Sequence, residues 1–408
     1  MSDRSISGAV PLIPASRAPK VAVVGGSLGG LLAGIALRGV GCTVDIFERV
    51  PHRLEAQGAG LRIVPEMARL LEQRAGIDLA GVSTVTRWFR HIGAGNRFIS
   101  DQAIAGRFTS WGTFHRALSA AFDARRYHLD AGCAGLADRG DKVEVIFASG
   151  ARVSFDLVVF ADGILSTGRG LIAPEAALDY AGYVTWRGFV PAEALSAEAR
   201  AIFTQSVTYA TPPYSHMIVY PIPDPGARGA ERVLFNFVWY RNRPADAPLD
   251  ELMTDRSGVR RPISLPAGSV RPQFVAEMRA AAAAELPPAH AEVVAKTHAP
   301  FIQALYDVIV PRMVKGRACL VGDAAFVTRP HAGAATTKAA VDAFRLADLL
   351  VKAQGDVPAA LAAWEPEQLA VGKAFVERNQ AMGRLSLVEN RFDPAAPFIQ
   401  PGLYGPGR

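Results

Sequence analysis

The sequence predicts an α/β fold in which a domain that opens with a βαβ unit is interrupted by an inserted, mainly antiparallel β-sheet and ends in a long helical region. Three observations predict it. Residues 21–48 read as a strand, a glycine-rich turn, a helix and a second strand. Residues 182–240 contain several short β-rich stretches separated by turn residues. Helix formers dominate residues 334–391.

In the βαβ unit, a strand is expected over residues 21–24, a turn over residues 25–30, a helix over residues 31–38 and a strand over residues 42–48. The glycines permit a tight exit from the strand and close packing of the helix on the sheet. Free N–H groups at the helix start attract a pyrophosphate, and an acid at the end of the second strand accepts ribose hydroxyls. This pattern predicts a dinucleotide site that contains Gly25, Ser27, Leu28, Gly30 and Glu48, with Ser27 where the usual motif has its second glycine.

The later elements alternate less regularly. Paired strands are expected over residues 142–147 and 151–159, around a turn at residues 148–150. The inserted sheet is expected to use residues 182–190, 206–209, 215–221 and 232–240. After it, the sequence predicts helices over residues 272–284 and 288–297, a strand over 318–321, helices over 334–353 and 357–391, and a Pro/Gly-rich tail.

The expected domains are a nucleotide domain and a substrate domain that splits it twice. The parts of the nucleotide domain are residues 18–80, 106–180 and 298–391, the last with the carboxyl-terminal helices. The substrate domain comprises residues 81–105 and 181–297, and the tail covers residues 392–408.

Composition and charge exclude several classes of protein. With 408 residues, 50% of them apolar and 20% charged, the chain is too apolar for a disordered protein. A net charge of +6 without a run of five or six basic residues gives no reason to expect a nucleic-acid partner. The longest uncharged apolar stretch, residues 21–37, contains five glycines, so no membrane span is expected.

The first twenty residues contain no continuous apolar segment of the kind that a secretory signal requires. The cysteines Cys42, Cys133 and Cys319 lie far apart and form no CxxC pair. No HExxH pattern or Cys/His cluster is present in the sequence, so no metal site is expected. These features predict a cytoplasmic protein in a reducing compartment.

Two further motifs resemble those of the FAD-dependent aromatic hydroxylases, the class A flavoprotein monooxygenases. Residues 158–163, Val-Val-Phe-Ala-Asp-Gly, followed by Ser166 and Arg169, are similar to the family's "DG" motif. Residues 319–325, Cys-Leu-Val-Gly-Asp-Ala-Ala, and residues 330–333, Pro-His-Ala-Gly, are similar to its "GD" motif. Residues 183–188 and 324–331 resemble the branch that contains 2,6-dihydroxypyridine 3-hydroxylase.

The resemblance implies bound FAD with NADH or NADPH as co-substrate and a Rossmann-like FAD-binding domain. The glycine turn and Glu48 would hold the ADP half, with Arg49 beside the adenosine and Asp162 near the pyrophosphate. Asp323 would accept a hydrogen bond from the ribityl chain. Backbone N–H groups of the segment that contains Gly333, Ala335 and Thr336 would lie near the flavin pyrimidine ring.

One position departs from the family pattern. Many relatives have an Arg-x-x-Leu segment that touches FAD, and here Trp111 stands where that arginine is expected. Arg116 or Arg62 would substitute for it, although each also fits an ordinary surface or structural arginine.

The implied activity is hydroxylation of a small hydroxylated aromatic or heteroaromatic ring with NAD(P)H and O₂, through a flavin C4a-hydroperoxide. Ring activation requires polar groups that face an apolar pocket. The candidates, each of which also fits a structural role, are His331, Arg187, Tyr183, His216, Tyr214, Tyr220 and Pro330.

Three other functions stay open at this point. They are an FAD-dependent reductase or dehydrogenase that does not activate O₂, a non-catalytic flavoprotein, and oxygenation coupled to decarboxylation or ring cleavage. The resemblance also leaves a homodimer open.

Overall fold

Three β-sheets and eleven α-helices make up the described part of the chain. The structure, a computed structural model, describes residues 11–52, 54, 59–224, 226, 232–399 and 402–403. The strands are β1 (Lys20–Val24), β2 (Thr43–Phe47), β3 (Gly60–Ile63), β4 (Thr84–Ile92), β5 (Phe98–Ser110), β6 (Tyr127–His128), β7 (Cys133–Asp138), β8 (Val143–Phe147), β9 (Arg152–Phe155), β10 (Leu157–Phe160), β11 (Asp179–Pro191), β12 (Ser206–Ala210), β13 (His216–Pro223), β14 (Val233–Asn242), β15 (Ser264–Leu265), β16 (Phe301–Asp307), β17 (Val314–Lys315) and β18 (Ala318–Leu320).

Several helices begin at a proline or directly after a polar residue that caps them. Asp356 caps the longest helix by accepting a hydrogen bond from the N–H of Ala359. The helices are α1 (Leu28–Arg38), α2 (Pro65–Arg74), α3 (Leu79–Val82), α4 (Trp111–Ala121), α5 (Thr167–Ile172), α6 (Ala197–Phe203), α7 (Ala247–Leu252), α8 (Pro272–Glu285), α9 (Pro288–Lys296), α10 (Ala335–Lys352) and α11 (Val357–Leu387).

The nucleotide domain is built on a six-stranded sheet with the order β17-β18-β10-β1-β2-β6. Strand β1 pairs in parallel with β2 and β10, and β10 pairs in parallel with β18. All four residues of β10 are buried, as expected for a central strand that is covered on both faces. The carboxyl ends of β1, β10 and β18 therefore lie side by side at one edge, where open α/β sheets bind ligands.

The second large sheet has nine strands in the order β15-β16-β11-β14-β13-β12-β4-β5-β3. Alternate residues of β14 point to opposite faces of this sheet and belong to two hydrophobic clusters. Phe237 and Trp239 pack with helices α6–α9, whereas Val238 and Tyr240 pack on the other face. That second face carries further aromatic residues, among them Tyr209 and Tyr220.

The mixed α/β fold with an inserted, mainly antiparallel sheet is confirmed, and two expected elements were wrong. Residues 151–159 do not form one strand, because the strand is interrupted at Asp156. The Asp156 carboxylate accepts a hydrogen bond from the N–H of Lys20. Residues 152–155 pair with β8, whereas residues 157–160 enter the parallel sheet. The last helix ends at Leu387 rather than at residue 391.

The expected domain boundaries stay a prediction. In the strand order, β3 and β16 belong to the nine-stranded sheet, although the expected boundaries assign residues 60–63 and 301–307 to the nucleotide domain. Of the tail, residues 400–401 and 404–408 lie outside the described residues, as do residues 1–10 of the expected signal-free amino terminus. No helix in the described residues is both long enough and apolar enough to cross a lipid bilayer.

Candidate active site

The turn after β1 requires glycine at two positions. Gly25 has a φ of +101°, and a Cβ there would lie 2.5 Å from the backbone oxygen of Ala161. A Cβ at Gly30 would lie 1.8 Å from the backbone oxygen of Gly25. The side chain of Ser27, at the N-cap of α1, makes no capping hydrogen bond, and Leu28 begins the helix. The helix N-terminus is therefore free of a side-chain cap and lies at the carboxyl edge of the sheet.

Glu48 is fixed beside this turn. Its carboxylate is buried and accepts hydrogen bonds from the N–H groups of Gly26 at 2.7 Å and Val50 at 3.1 Å. Each carboxylate oxygen can accept a further hydrogen bond. The neighbouring Arg49 is exposed.

Helix α4 contacts the turn through a residue that sequence reasoning missed. The ring of His115 stacks on Trp111 with centroids 4.7 Å apart, and its Nε2 lies 3.3 Å from the backbone oxygen of Gly26. Tyr127 donates a hydrogen bond to the same oxygen at 2.9 Å. Arg116, one of the two expected substitutes, lies on the exposed face of α4. The tryptophan that replaces the expected arginine is the signal that would have pointed to its stacking partner.

Asp162 uses its carboxylate to organise the loop after β10. It accepts hydrogen bonds from Ser166 Oγ at 2.5 Å and from the N–H of Thr167 at 2.7 Å. Burial nevertheless raises the pKa of this carboxyl, and these hydrogen bonds oppose the shift. Arg169 links this loop to the loop after β18, donating to the backbone oxygens of Asp323 at 3.2 Å and of Ala324 at 3.1 Å.

The Asp323 side chain is exposed just beyond the carboxyl end of β18, at the same edge of the sheet. Desolvation by the surrounding protein raises the pKa of the carboxyl to about 6, and the Arg169 guanidinium partly opposes this shift. A carboxylate at this edge is suited to accepting hydrogen bonds from the hydroxyls of a bound ligand.

A cavity with about 740 Å³ of empty volume, part of it open to solvent, lies between the start of α10 and the aromatic face of the nine-stranded sheet. One wall is the segment of residues 330–336, in which Gly333 has a φ of +60° and α10 begins without a side-chain cap. Gly333, Ala335 and Thr336 lie together in this wall, next to Pro330 and Arg62.

The opposite wall combines apolar and polar side chains. Tyr209, Tyr220 and Tyr240 line it, and burial raises the pKa of Tyr209 and Tyr220 to about 12, so both stay neutral phenols. Arg187 lines it too; its side chain is buried, and its Nε has no partner among the described residues. A buried guanidinium with an unused donor is suited to an anion or an electron-rich oxygen.

His331 lies at the end of the cavity, buried against the ring of Tyr240 at a centroid distance of 4.6 Å. Its Nε2 lies 2.7 Å from the hydroxyl of Tyr183, which lies behind it. Burial, assisted by His216 and Arg329, holds the pKa of the His331 imidazole well below its ordinary value. The ring is therefore neutral at pH 7.

Besides Tyr183, two other candidates do not line this cavity. His216 is buried behind Tyr240, with its Nδ1 2.6 Å from Ser386 Oγ, and burial lowers its pKa to about 3. Tyr214 is 53% exposed in the turn between β12 and β13, where its φ of +53° and a hydrogen bond to Asn390 hold it away from the cavity. Its position next to strand residues in the sequence favours a site residue, whereas the turn leaves its side chain exposed.

The chain is similar to several known proteins. Residues 180–307 match a family described as FAD-binding domain-like. Over 388 residues the chain is 35% identical to the 2,6-dihydroxypyridine 3-monooxygenase of Paenarthrobacter nicotinovorans, covering 94% of this chain and 96% of that protein. It is 26% identical over 400 residues to a salicylate hydroxylase of Pseudomonas putida, covering 88% and 85% of the two chains.

The solved structure of 2,6-dihydroxypyridine-3-hydroxylase from Arthrobacter nicotinovorans matches with a TM-score of 0.88 at 33% identity, covering 97% of this chain and 98% of that one. The resemblance that the three motifs indicated is confirmed, and so is FAD as the cofactor. The chain belongs to the FAD-dependent aromatic monooxygenases.

Proposed function

We propose that this monooxygenase hydroxylates a small, hydroxylated, hydroxypyridine-like or phenol-like ring in the cavity beside residues 330–336. The observation that carries the proposal is the cavity itself. Its lining includes Arg187, Tyr240 and His331 among apolar side chains, together with the uncapped start of α10. The overall reaction consumes the ring, O₂, NAD(P)H and a proton, and yields the hydroxylated ring, water and NAD(P)⁺.

The residues at the edge of the parallel sheet fit FAD. Because Gly30 has no side chain, the start of α1 can pack against the backbone of Gly25. This helix start has no side-chain cap, so its free N–H groups can bind a pyrophosphate. We assign Glu48 to the adenosine ribose and Asp323 to the ribityl chain, because the Glu48 carboxylate is hydrogen-bonded just after β2 and Asp323 follows β18 at the same edge of the sheet. FAD, when bound, supplies electron transfer from NAD(P)H and activation of O₂.

The protein side of the chemistry is binding, orientation and exclusion of water. The uncapped N–H groups at the start of α10 stabilise negative charge near residues 333–336. The tyrosines and aliphatic residues of the sheet hold the ring in a largely apolar environment, which strengthens each polar contact to it. Arg187 and His331 supply those polar contacts.

A screen of hydroxypyridines and phenols for stimulated NAD(P)H oxidation, with products identified by mass, tests this function. The relative that is named for 2,6-dihydroxypyridine makes that compound the first to test. A product that is heavier by one oxygen atom is expected. Turnover that persists without O₂ would instead support a reductase, and a product that has also lost CO₂ or its ring would support coupled cleavage.

Asp323→Ala is expected to weaken FAD binding roughly 10- to 150-fold. The variant loses a charge-assisted hydrogen bond, which contributes on the order of 1.5–3 kcal/mol. Titration of apoprotein with FAD, followed by flavin fluorescence, measures the change. FAD affinity equal to that of the wild type would remove Asp323 from the cofactor site.

The raised pKa of Asp323 makes a second measurement possible on the same apoprotein. An acid whose pKa rises on folding, here from 3.8 to about 6, costs no stability below the lower value. Its cost grows as the pH rises between the two values and is complete above the upper one. Asp323→Asn apoprotein should therefore melt at a higher temperature than wild-type apoprotein at pH 8, and at the same temperature at pH 3.5. A higher melting temperature of the variant would show that a loss of FAD binding at this position does not result from a loss of folding.

Arg187→Ala is expected to slow reduction of the flavin by NAD(P)H roughly tenfold, because a cation in the cavity guides an anionic co-substrate and favours anionic reduced flavin. Stopped-flow absorbance measures the rate, and Arg187→Lys, which keeps the charge, should recover part of it. Binding of the aromatic ligand should weaken less. Reduction at the unmutated rate would leave Arg187 a structural arginine.

We also propose a cytoplasmic, reducing location, which is supported by free thiols at Cys42, Cys133 and Cys319. Burial raises the pKa of the Cys133 thiol to about 11, so it stays unreactive at neutral pH.

We also propose a homodimer, which the family resemblance supports. Analytical ultracentrifugation measures the oligomeric state.

A further inference from the structure

A chain of four polar side chains runs from the interior of the protein to the cavity. Asp307 pairs with Arg329, whose Nη2 lies 2.7 Å from its Oδ2, and Gln380 donates to the same oxygen at 3.1 Å. Arg329 Nη1 donates to the hydroxyl oxygen of Tyr183 at 3.2 Å. That hydroxyl in turn lies 2.7 Å from Nε2 of His331. The proposed function does not use Asp307, Arg329 or Tyr183.

The direction of these hydrogen bonds follows from the donors. A guanidinium can only donate, so the Tyr183 oxygen accepts from Arg329. The Tyr183 hydroxyl is buried, and its own proton has one acceptor among the described contacts, Nε2 of His331. If His331 donated instead, that proton would be left unpaired in the interior, which costs about 1–3 kcal/mol.

We infer that Asp307, Arg329 and Tyr183 are positioning residues that hold His331 in the tautomer with its proton on Nδ1, so that His331 acts on the bound ring as a hydrogen-bond donor. Nδ1 of His331 is buried and has no partner among the described residues, which leaves it for a ligand. A donor at this position stabilises a ring oxygen that has already lost its proton, and does not remove the proton itself. The inference rests on the proposed function for its ligand, but not for the tautomer.

Helix α11 closes over this contact. A Cβ at Gly383 would lie 2.2 Å from the Tyr183 hydroxyl oxygen and 2.9 Å from Nε2 of His331. Glycine inside a helix is unfavourable by roughly 0.5–1 kcal/mol relative to alanine. Its presence is explained by the space that the Tyr183–His331 hydrogen bond requires. No room is left for a side chain or a water molecule between the helix and this pair.

The test is the ring tautomer of His331 in the FAD-loaded protein, measured by NMR of ¹⁵N-histidine-labelled enzyme. The His331→Gln variant identifies the signals by their loss. The wild type should have the proton on Nδ1. Tyr183→Phe keeps the aromatic ring and removes the hydroxyl, so Nε2 should gain proton occupancy. Tyr180→Phe is the matched control, because that hydroxyl on the same strand donates to the backbone oxygen of Arg243 instead.

A proton on Nε2 in the wild type, or the same tautomer in wild type and Tyr183→Phe, would overturn the inference. Gly383→Ala provides a second variant with no polar group removed, and it should change the tautomer as Tyr183→Phe does. With a ring that the screen has identified, Tyr183→Phe should lower product formed per NAD(P)H roughly tenfold or more, as loss of an orienting partner does elsewhere. If no ring is hydroxylated, the proposed function fails, whereas the tautomer measurement still decides this inference.

Discussion

Replacing Gly30 with alanine is expected to abolish FAD binding and to destabilise the protein by about 3 kcal/mol or more, at the upper end of what overpacking costs. The new methyl group would lie 1.8 Å from the backbone oxygen of Gly25, and no side chain can move to relieve that contact. Helix α1 would have to shift away from the sheet, and its N-terminus would leave the phosphate position. Flavin content after purification and a urea unfolding curve measure the two effects.

Gly29→Ala is the matched control for this prediction. A Cβ at Gly29 would lie 3.7 Å from the Cβ of Ala339, which is an ordinary contact distance, so the variant should fold and bind FAD normally. Equal loss of flavin in both variants would show that the turn tolerates no side chain at all. Normal flavin content in Gly30→Ala would contradict the assignment of this turn to the cofactor.

Replacing His331 with alanine is expected to slow the hydroxylation step about 10²–10³-fold, the usual effect of removing one donor from a charge-stabilising site. The variant should still bind FAD and oxidise NAD(P)H, but most of the oxygen should be released as hydrogen peroxide. Hydroxylated product and peroxide, each per NAD(P)H consumed, give the measurement. An unchanged product ratio would remove His331 from the catalytic residues.

Two further substitutions separate the possible roles of His331. His331→Asn keeps an N–H donor near the position of Nδ1 but provides no base, so partial recovery of product supports a donor, and none supports a base. His298→Ala is the control for loss of a histidine, since His298 is exposed. It should hydroxylate as the wild type does.

The parts that were predicted from the sequence are those that local chemistry determines. The turn around Gly25 and Gly30 needs particular residues at fixed spacing, so it could be recognised without a structure. The sequence predicts one strand over residues 151–159 because a partly exposed strand and a fully buried one adjoin at Asp156, and the change of pattern falls within nine residues. Burial of every residue from 157 to 160 marks the parallel strand.

The parts that were missed depend on contacts distant in sequence. Arg329 meets Asp307 from a different element, and Tyr183 comes from the inserted sheet, so neither pairing has a local signature. Likewise, exposure of Tyr214 follows from a turn with positive φ at that residue, which a tyrosine does not favour. The motif resemblance indicated His331, but only the structure shows which of its ring nitrogens lies within hydrogen-bond distance of Tyr183.

The strand order of the parallel sheet also determines when this protein can fold during synthesis. Strand β1 pairs Val21 with Leu157, and Val158 of β10 pairs with Ala318, so each neighbour is made long after its partner. Such high contact order slows folding and exposes unpaired edges meanwhile. The nascent chain must therefore wait until residues 318–336 leave the ribosome before the cofactor edge and the cavity wall exist. FAD can then bind only after residue 336 has been synthesised, so flavin supply influences the yield only after that point.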